Sequence, residues 1–264
     1  MAIKKYLPLA VGIGFIFILG CAILINLKKE AVEDPVLKRI KTRGTILVGT
    51  DATYPPMESI DREGNFLGFD IDLAKEIASD LRVRVEFKNI PWERLISFEP
   101  LLTDEIDIAI SAITITPERA EKVAFSTPYL NAGQVIVTML ENLEEIKGAE
   151  DLFDKKVGVQ LNTTSEEEAK KYTDSVIAFE DYTKAKEALL KREIDAIMID
   201  YPAALGLVSK TPNFTIVGEP LTQEFYGVAL KKEATQLLFK INNTIERLKE
   251  EGKINELIQK WFIE

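Results

Sequence analysis

A seven-residue frame, Leu-Leu-x-x-Glu-Ile-Asp, occurs twice in the chain, in "LLTDEIDIAI" at 101–110 and in "LLKREIDAIM" at 189–198. Each copy reads as a helix end running into an apolar strand. Each also follows a strand and an amphipathic helix, "VEFKNIPWERLISFEP" in the first case and "VIAFEDYTKAKEALLK" in the second. A unit that alternates β and α builds a parallel sheet, and two copies of it argue for two sheets rather than one long one. The expected fold class is therefore α/β, as two similar lobes.

The rest of the chain fits around that division. Lobe 1 opens with "TILVGT" and the loop "DATYPPMES", followed by "GFDIDLAKEIASDL", whose Leu73, Ile77, Ala78 and Leu81 lie on one helical face. Asp70 and Asp72 fall where a helix N-terminus favours carboxylates, so both are read as caps. "VRVEFKN" alternates as a strand, and "WERLISFEPLLTDE" reads as one helix. Lobe 2 runs through the strands "KKVGVQL", "SVIAF", "DAIMID" and "FTIV", with helices between them. Residues 130–140 and 222–230 are extended and border lobe 2, which suits a pair of strands joining the lobes. The tail is two helices separated at Gly252, expected to pack back on lobe 1. The boundaries are then 45–133 with 226–264 for lobe 1 and 134–225 for lobe 2, with 29–44 as a linker, a charged stalk followed by a short helix.

Residues 1–28 form an anchor or signal. The span 7–27 is almost wholly apolar, flanked by Lys4, Lys5, Lys28 and Lys29, and about long enough to cross a ~30 Å hydrocarbon core. "ILGC" at 18–21 resembles a bacterial lipoprotein cleavage box, which makes Cys21 a lipidation candidate, although the apolar run continues past it. An uncleaved anchor and a lipoprotein both remain open; each places the rest of the chain outside the cytoplasm.

Composition removes whole classes of chemistry. There is no histidine, so a Ser-His-Asp or Cys-His enzyme and a histidine metal site are excluded. The one cysteine can form neither an internal disulfide nor a zinc site. A net charge of -10 offers no basic stripe to nucleic acid. Neither a metal nor a cofactor is expected.

In open α/β sheets, ligands bind beyond the carboxyl ends of the strands. Polar residues stand at four such ends: Asp51 and Tyr54, Ser111 to Thr116, Asn162 to Ser165, and Asp200. Arg119 lies in the first turn after "SAITITP", where a cation opposes the helix dipole. Beside the Ser111 and Thr114 hydroxyls its planar fork makes a carboxylate site, while Asp200 on the other lobe suits an ammonium group. Together they describe a receptor for a zwitterion. Plainer roles stand beside these. Arg119 is a surface ion-pair partner of Glu118 or Glu121 in that reading, Asp51 and Asp200 are caps, and Tyr54 and Trp92 are core aromatics.

The stretches "GTDATYPPME", "GFDIDLAKEIA", "PWERLI", "EIDIAISAITITPERAEKVAFSTPY", "VGVQLNTTSE", "AIMIDYPAA", "YGVALKK" and "EGKINELIQKWF" together resemble the polar amino-acid solute-binding proteins of ABC importers, over about residues 35–264. The resemblance implies a periplasmic-binding-protein-like fold of type II, two lobes joined by two hinge strands that close on ligand. It implies that Arg119 clamps the α-carboxylate with help from Ser111, Thr114 and Thr164, that Asp200 takes the α-amino group, and that Asp51, Tyr54 and Trp92 surround the side chain. Ala112 and Gln160 belong to the same set but depart from the family, as do Met57 and Asn162: Ser or Gly is common at 112, Phe at 57, and Gly in the 160–162 loop. The implied partners are a free polar amino acid, an ABC permease with its ATPase, and the membrane through the N-terminal segment; the receptor is expected to be a monomer.

For the side chain, Tyr54 and Trp92 suit a flat or extended group and Asp51 a cation, which favours arginine or lysine, with glutamine next. Two rivals use the same fold. A cyclohexadienyl (prephenate or arogenate) dehydratase would need a cleft acid beside Arg119, for which Glu58 or Glu166 are candidates. A sensor module would need a signalling region, and none follows before residue 264.

Overall fold

The computed structural model describes residues 34–263. The apolar segment and Cys21 lie outside them, and among the described residues no helix is long and apolar enough to cross a membrane.

Two five-stranded sheets share one plan. In the first, the strand Thr45–Thr50 lies between Arg84–Asn89 and Ile108–Ala109, parallel to both; Ala229–Leu230 then runs antiparallel, with Ala124–Phe125 at the edge. In the second, Val157–Gln160 lies between Val176–Phe179 and Ala196–Asp200, again parallel, followed by the antiparallel Gln134–Met139 and the edge strand Phe214–Val217. The inner strands Ile108–Ala109, Gln134–Met139 and Ala196–Asp200 are buried on both faces and mostly apolar, whereas the edge strands Arg84–Asn89 and Val176–Phe179 are partly exposed. In the second sheet Val135, Val137, Ile197 and Ile199 face one core while Ile136, Ala196 and Met198 face another.

The repeated frame is what builds both sheets. Ile106 and Ile194 each lie over a glycine of the lobe's first strand: a Cβ on Gly49 would sit 2.5 Å from Ile106 Cδ1, and one on Gly158 would sit 2.4 Å from Ile194 Cδ1. The aspartates act alike as well. Asp107 accepts from Leu47 N at 2.8 Å, and Asp195 from Lys156 N at 2.7 Å, each carboxylate pinning the start of the first strand. The duplicated residues thus serve the scaffold.

The lobes are joined by Leu130–Asn131 paired with Phe225–Tyr226 in a two-stranded antiparallel ribbon. The extended segments at 130–140 and 222–230 therefore each split, one part crossing between lobes and the other entering a sheet. The short helix expected at the end of the 29–44 linker is Pro35–Arg43, and it belongs to lobe 1: its Val36, Leu37 and Ile40 are buried in that core and its Arg39 and Arg43 both pair with Asp107. Two further expectations are corrected. The helix read across 92–105 is two short ones, Trp92–Ile96 and Glu99–Leu102, broken where Phe98 turns left-handed (φ 64°) so that its ring is buried. Asp70 and Asp72 do not cap the helix Phe69–Asp80, whose N-cap is Gly68. Asp72 pairs instead with Lys75 and Lys260, and Asp70 turns inward. The tail helices Thr235–Glu250 and Lys253–Ile258 break at Gly252 (φ 75°) and bury Leu237, Ile241, Ile245 and Leu248 against lobe 1.

Candidate functional site

Asp51, Tyr54, Trp92, Ser111, Ala112, Thr114, Arg119, Gln160, Thr164 and Asp200 line one cavity between the sheets. Glu58, Thr163, Ser165 and Tyr182 complete its polar wall. The lobes stand close together across it: Tyr54 Oη of lobe 1 donates to Asp200 of lobe 2 at 3.1 Å, and Arg119 Nη2 reaches Asn162 O at 3.5 Å.

On lobe 1 the carboxyl end of the third strand is irregular. The chain leaves Ile108–Ala109 and passes through Ala112 in the left-handed region (φ 48°), so regular strand ends before Ser111. That turn exposes backbone on the cleft side and explains why small residues suit position 112. Thr116 caps the helix Pro117–Lys122 by accepting from Arg119 N at 3.2 Å. The Arg119 Nη1 donates to Thr114 O at 2.9 Å, and Nη2 reaches Asn162 O of lobe 2 at 3.5 Å. Its Cζ lies 5.7 Å from the centre of the Trp92 ring. With five donors in the fork, these bonds leave capacity for a carboxylate. Burial lowers the Arg119 pKa, against the pull of Asp200 and Glu224, yet from so high a starting value the cation persists.

On lobe 2 the strand Ala196–Asp200 stays regular to its last residue, and Asp200 is 8% exposed. Its carboxylate accepts from Tyr226 Oη, from Gln134 Nε2 and, at 3.1 Å, from Tyr54 Oη of lobe 1. Burial raises Asp200 to about 6, and those three donors keep it from rising further. Three such donors fix the carboxylate's orientation before any cation arrives. Gln134, fully buried in the crossing strand, also accepts from Ser165 Oγ at 2.6 Å and donates to Thr164 Oγ1 at 3.2 Å. Thr163 caps the helix Thr164–Ala169, and Thr164 donates to Glu224 at 2.6 Å. Asn162 is left-handed (φ 60°), which suits Asn as well as Gly and accounts for the departure there.

The side-chain end differs from a simple sandwich. Tyr54 meets Tyr182 edge to face, with centroids 5.6 Å apart, while Trp92 faces Arg119. Asp51 accepts from Trp92 N at 3.1 Å and from Thr53 Oγ1 at 3.0 Å, and Gln160 of lobe 2 lines the cavity with it. It helps hold the helix Trp92–Ile96 and lines the cavity at once. Burial raises its pKa, against those hydrogen bonds and with the repulsion of Asp181 adding to the rise. The acidic end thereby favours a cation.

Sequence reasoning missed Gln134, Tyr226, Tyr182 and Glu224. Gln134 reads as one more residue of a buried strand, and Tyr226 as a core ring; the antiparallel register of the lobe 2 sheet sets Gln134 opposite Asp200, and the crossing ribbon brings Tyr226 there.

The family model for bacterial extracellular solute-binding proteins, family 3, matches residues 46–264. The chain belongs to that family. The L-cystine-binding protein TcyJ of Escherichia coli is 36% identical over 238 residues, covering 89% of this chain and 88% of that protein. A mutant of ArgBP from T. maritima, a protein also solved with arginine bound, is 43% identical, with a TM-score of 0.81 over 87% of this chain and 100% of that one. An ancestral amino acid-binding protein, described as a precursor of cyclohexadienyl dehydratase, is 41% identical, with a TM-score of 0.80 over 86% and 99% of the two chains. The two-lobed α/β fold of this solute-binding family is the one expected from the repeated frame.

Proposed function

We propose that this family 3 protein is the receptor of an ABC importer for a free polar L-amino acid, arginine or lysine first and glutamine next. One observation carries the reading: Arg119 of lobe 1 and Asp200 of lobe 2 line the same cavity, together with Asp51. Arg119 takes the α-carboxylate, with Ser111, Thr114 and Thr164 beside it, and Asp200 takes the α-ammonium. Asp51 takes a cationic side chain between Tyr54, Trp92 and Gln160. Ligand that touches both lobes favours their approach by its differential affinity for the closed form. The partners are a permease and its ATPase; the N-terminal segment tethers the receptor, as a monomer, outside the cytoplasm.

The dehydratase alternative needs a proton donor in the cleft. Glu166 lies below the usual range, its Lys170 ion pair and the Asn162 N–H outweighing partial burial, which is the wrong direction for an acid. Glu58 lies above it but is bonded to Ser111 and Asp70. Both arrangements favour a binding protein.

Thermal unfolding of the full-length chain with each of the twenty amino acids at millimolar concentration tests the reading. A micromolar binder at 1 mM adds about 4 kcal/mol of stability. A shift with arginine or lysine that is lost in Arg119→Ala is the expected result. A shift with glutamine alone discards the cationic pocket, and no shift with any amino acid discards the receptor.

A further inference from the structure

Behind the strand end that faces Arg119 lies a pair of acids with no cation to match them. Glu58, in the strand Glu58–Ile60, and Asp70, in the first turn of the helix Phe69–Asp80, are each 1% exposed. They are forced together by backbone. Gly68 has φ 139°, and a Cβ there would lie 2.1 Å from Met57 O, so only glycine lets the helix start press against the strand. Asp70 N donates to Met57 O at 3.0 Å across that contact.

The outer oxygens of the pair hold the cleft. Glu58 Oε1 accepts from Ser111 Oγ at 3.0 Å, and the same Ser111 Oγ accepts from Asp51 N at 2.9 Å. Asp70 Oδ2 accepts from Ala112 N at 2.7 Å and from Tyr129 Oη at 2.9 Å. Two successive residues of the turn, Ser111 and Ala112, are thus fixed by the two acids of the pair. The inner oxygens, Glu58 Oε2 and Asp70 Oδ1, are buried and find no donor among the described residues, and the carboxyls lie near enough for the charge of Asp70 to raise Glu58. Two adjacent buried carboxylates without a donor between them are strongly repelled, and two carboxylic acids would leave one O–H without an acceptor, because the outer oxygens already receive protons.

We propose that Glu58 and Asp70 hold one proton between them and act as the positioning pair for Ser111 and Ala112, the turn that receives the ligand. Both acids are raised, first by burial and, for Glu58, next by the charge of Asp70. The other titratable groups acting on the pair are Asp51, whose charge pushes Glu58 the same way, and Tyr129, whose hydroxyl favours ionised Asp70. Neither supplies a cation. The proton is a property of lobe 1 whatever the ligand; its consequence for binding rests on the amino-acid reading above.

Amides test this, because Glu58→Gln puts an N–H where the proton would lie and leaves Asp70 ionised. Asp70→Asn does the same from the other side. Each single variant is expected to fold, whereas the double variant sets two N–H groups against each other. Its loss of folding constant should exceed the product of the single losses by about tenfold or more, a coupling of ~1.4 kcal/mol. Without ligand, the wild type should lose a factor of about ten in folding constant per pH unit relative to Glu58→Gln as pH rises from about 5 towards 7, between the range of a free carboxyl and that of the raised Asp70, the mark of one proton held by the folded state. For arginine, Glu58→Ala should weaken binding about tenfold or more and Glu58→Gln should restore most of it. Parallel pH curves, a hundredfold loss per unit, additive single variants, or an Ala variant that binds as well as the Gln variant would each overturn the proposal. If the wild type binds no amino acid, the receptor reading fails, and the folding comparison still decides whether the proton is shared.

Discussion

In lobe 1 the third strand ends after Ile108–Ala109 and gives way to a left-handed turn, whereas in lobe 2 the corresponding strand runs straight to Asp200. Both lobes start from the same Ile and Asp of the repeated frame, packed on the same glycine and pinning the same strand. They part only where the ligand is met. Lobe 1 offers backbone, hydroxyls and a guanidinium, whose charge survives burial. Lobe 2 offers one carboxylate whose charge is costly. The difference teaches that one scaffold can make either half of a zwitterion site, and that acid sensitivity belongs to the lobe 2 half, since Asp200 sits at about 6 and Arg119 never loses its proton in the working range.

The largest break in that comparison is Arg119→Ala. It strips lobe 1 of its only cation in the cavity among the described residues and should weaken arginine binding ~100-fold or more in calorimetry, about 3–5 kcal/mol. Equal binding by the variant would remove the anion half altogether. Next comes Asp200→Asn, expected to cost about 2–3 kcal/mol at pH 7.5. Wild-type affinity should also fall about tenfold per pH unit below pH 6 as Asp200 protonates, and the Asn variant should lack that acid limb. The sign for folding is opposite. Because burial raises Asp200, its ionisation destabilises the ligand-free protein as pH rises through about 6, and a bound ammonium offsets that loss.

A smaller effect separates the ligands. Asp51→Asn should weaken arginine about tenfold and leave glutamine within a few-fold, since an amide still accepts from Trp92 N but no longer attracts a cation. Equal losses for both ligands would mean that Asp51 serves the helix and not the side chain. The smallest is Tyr54→Phe, which removes one of the three donors to Asp200 and should cost ~0.5–1.5 kcal/mol in affinity. It should also move the acid limb to higher pH, because losing a donor to the ionised form raises a carboxyl further. An unmoved limb would assign Tyr54 to packing against Tyr182 alone.

Much of this was readable in the chain. The repeated frame announced two lobes, the dipole argument singled out Arg119, and the lone acid ending an apolar strand singled out Asp200. Periodicity failed where tertiary contact outweighed local pattern. Phe98 turned left-handed to bury its ring, so one expected helix became two. The short helix at 35–43 was expected, but its place in lobe 1 was not, because a short apolar stripe means little until it meets the core.

Asp70 marks the boundary between the two kinds of information. Near a helix start its type and position suggest a cap, and local propensity could say no more. Only the folded lobe sets Gly68 against Met57 and so brings Asp70 to Glu58, Ser111 and Ala112. The same holds for Gln134 and Tyr226, whose polar ends meet Asp200 across 66 and 26 residues of chain. By itself the sequence determined the α/β class, the two lobes and the charged groups of the site, because those follow from periodicity and residue chemistry near each position. The tertiary structure decided which buried polar groups face one another and how each acid is charged, because desolvation and hydrogen bonding depend on neighbours that are distant in the chain.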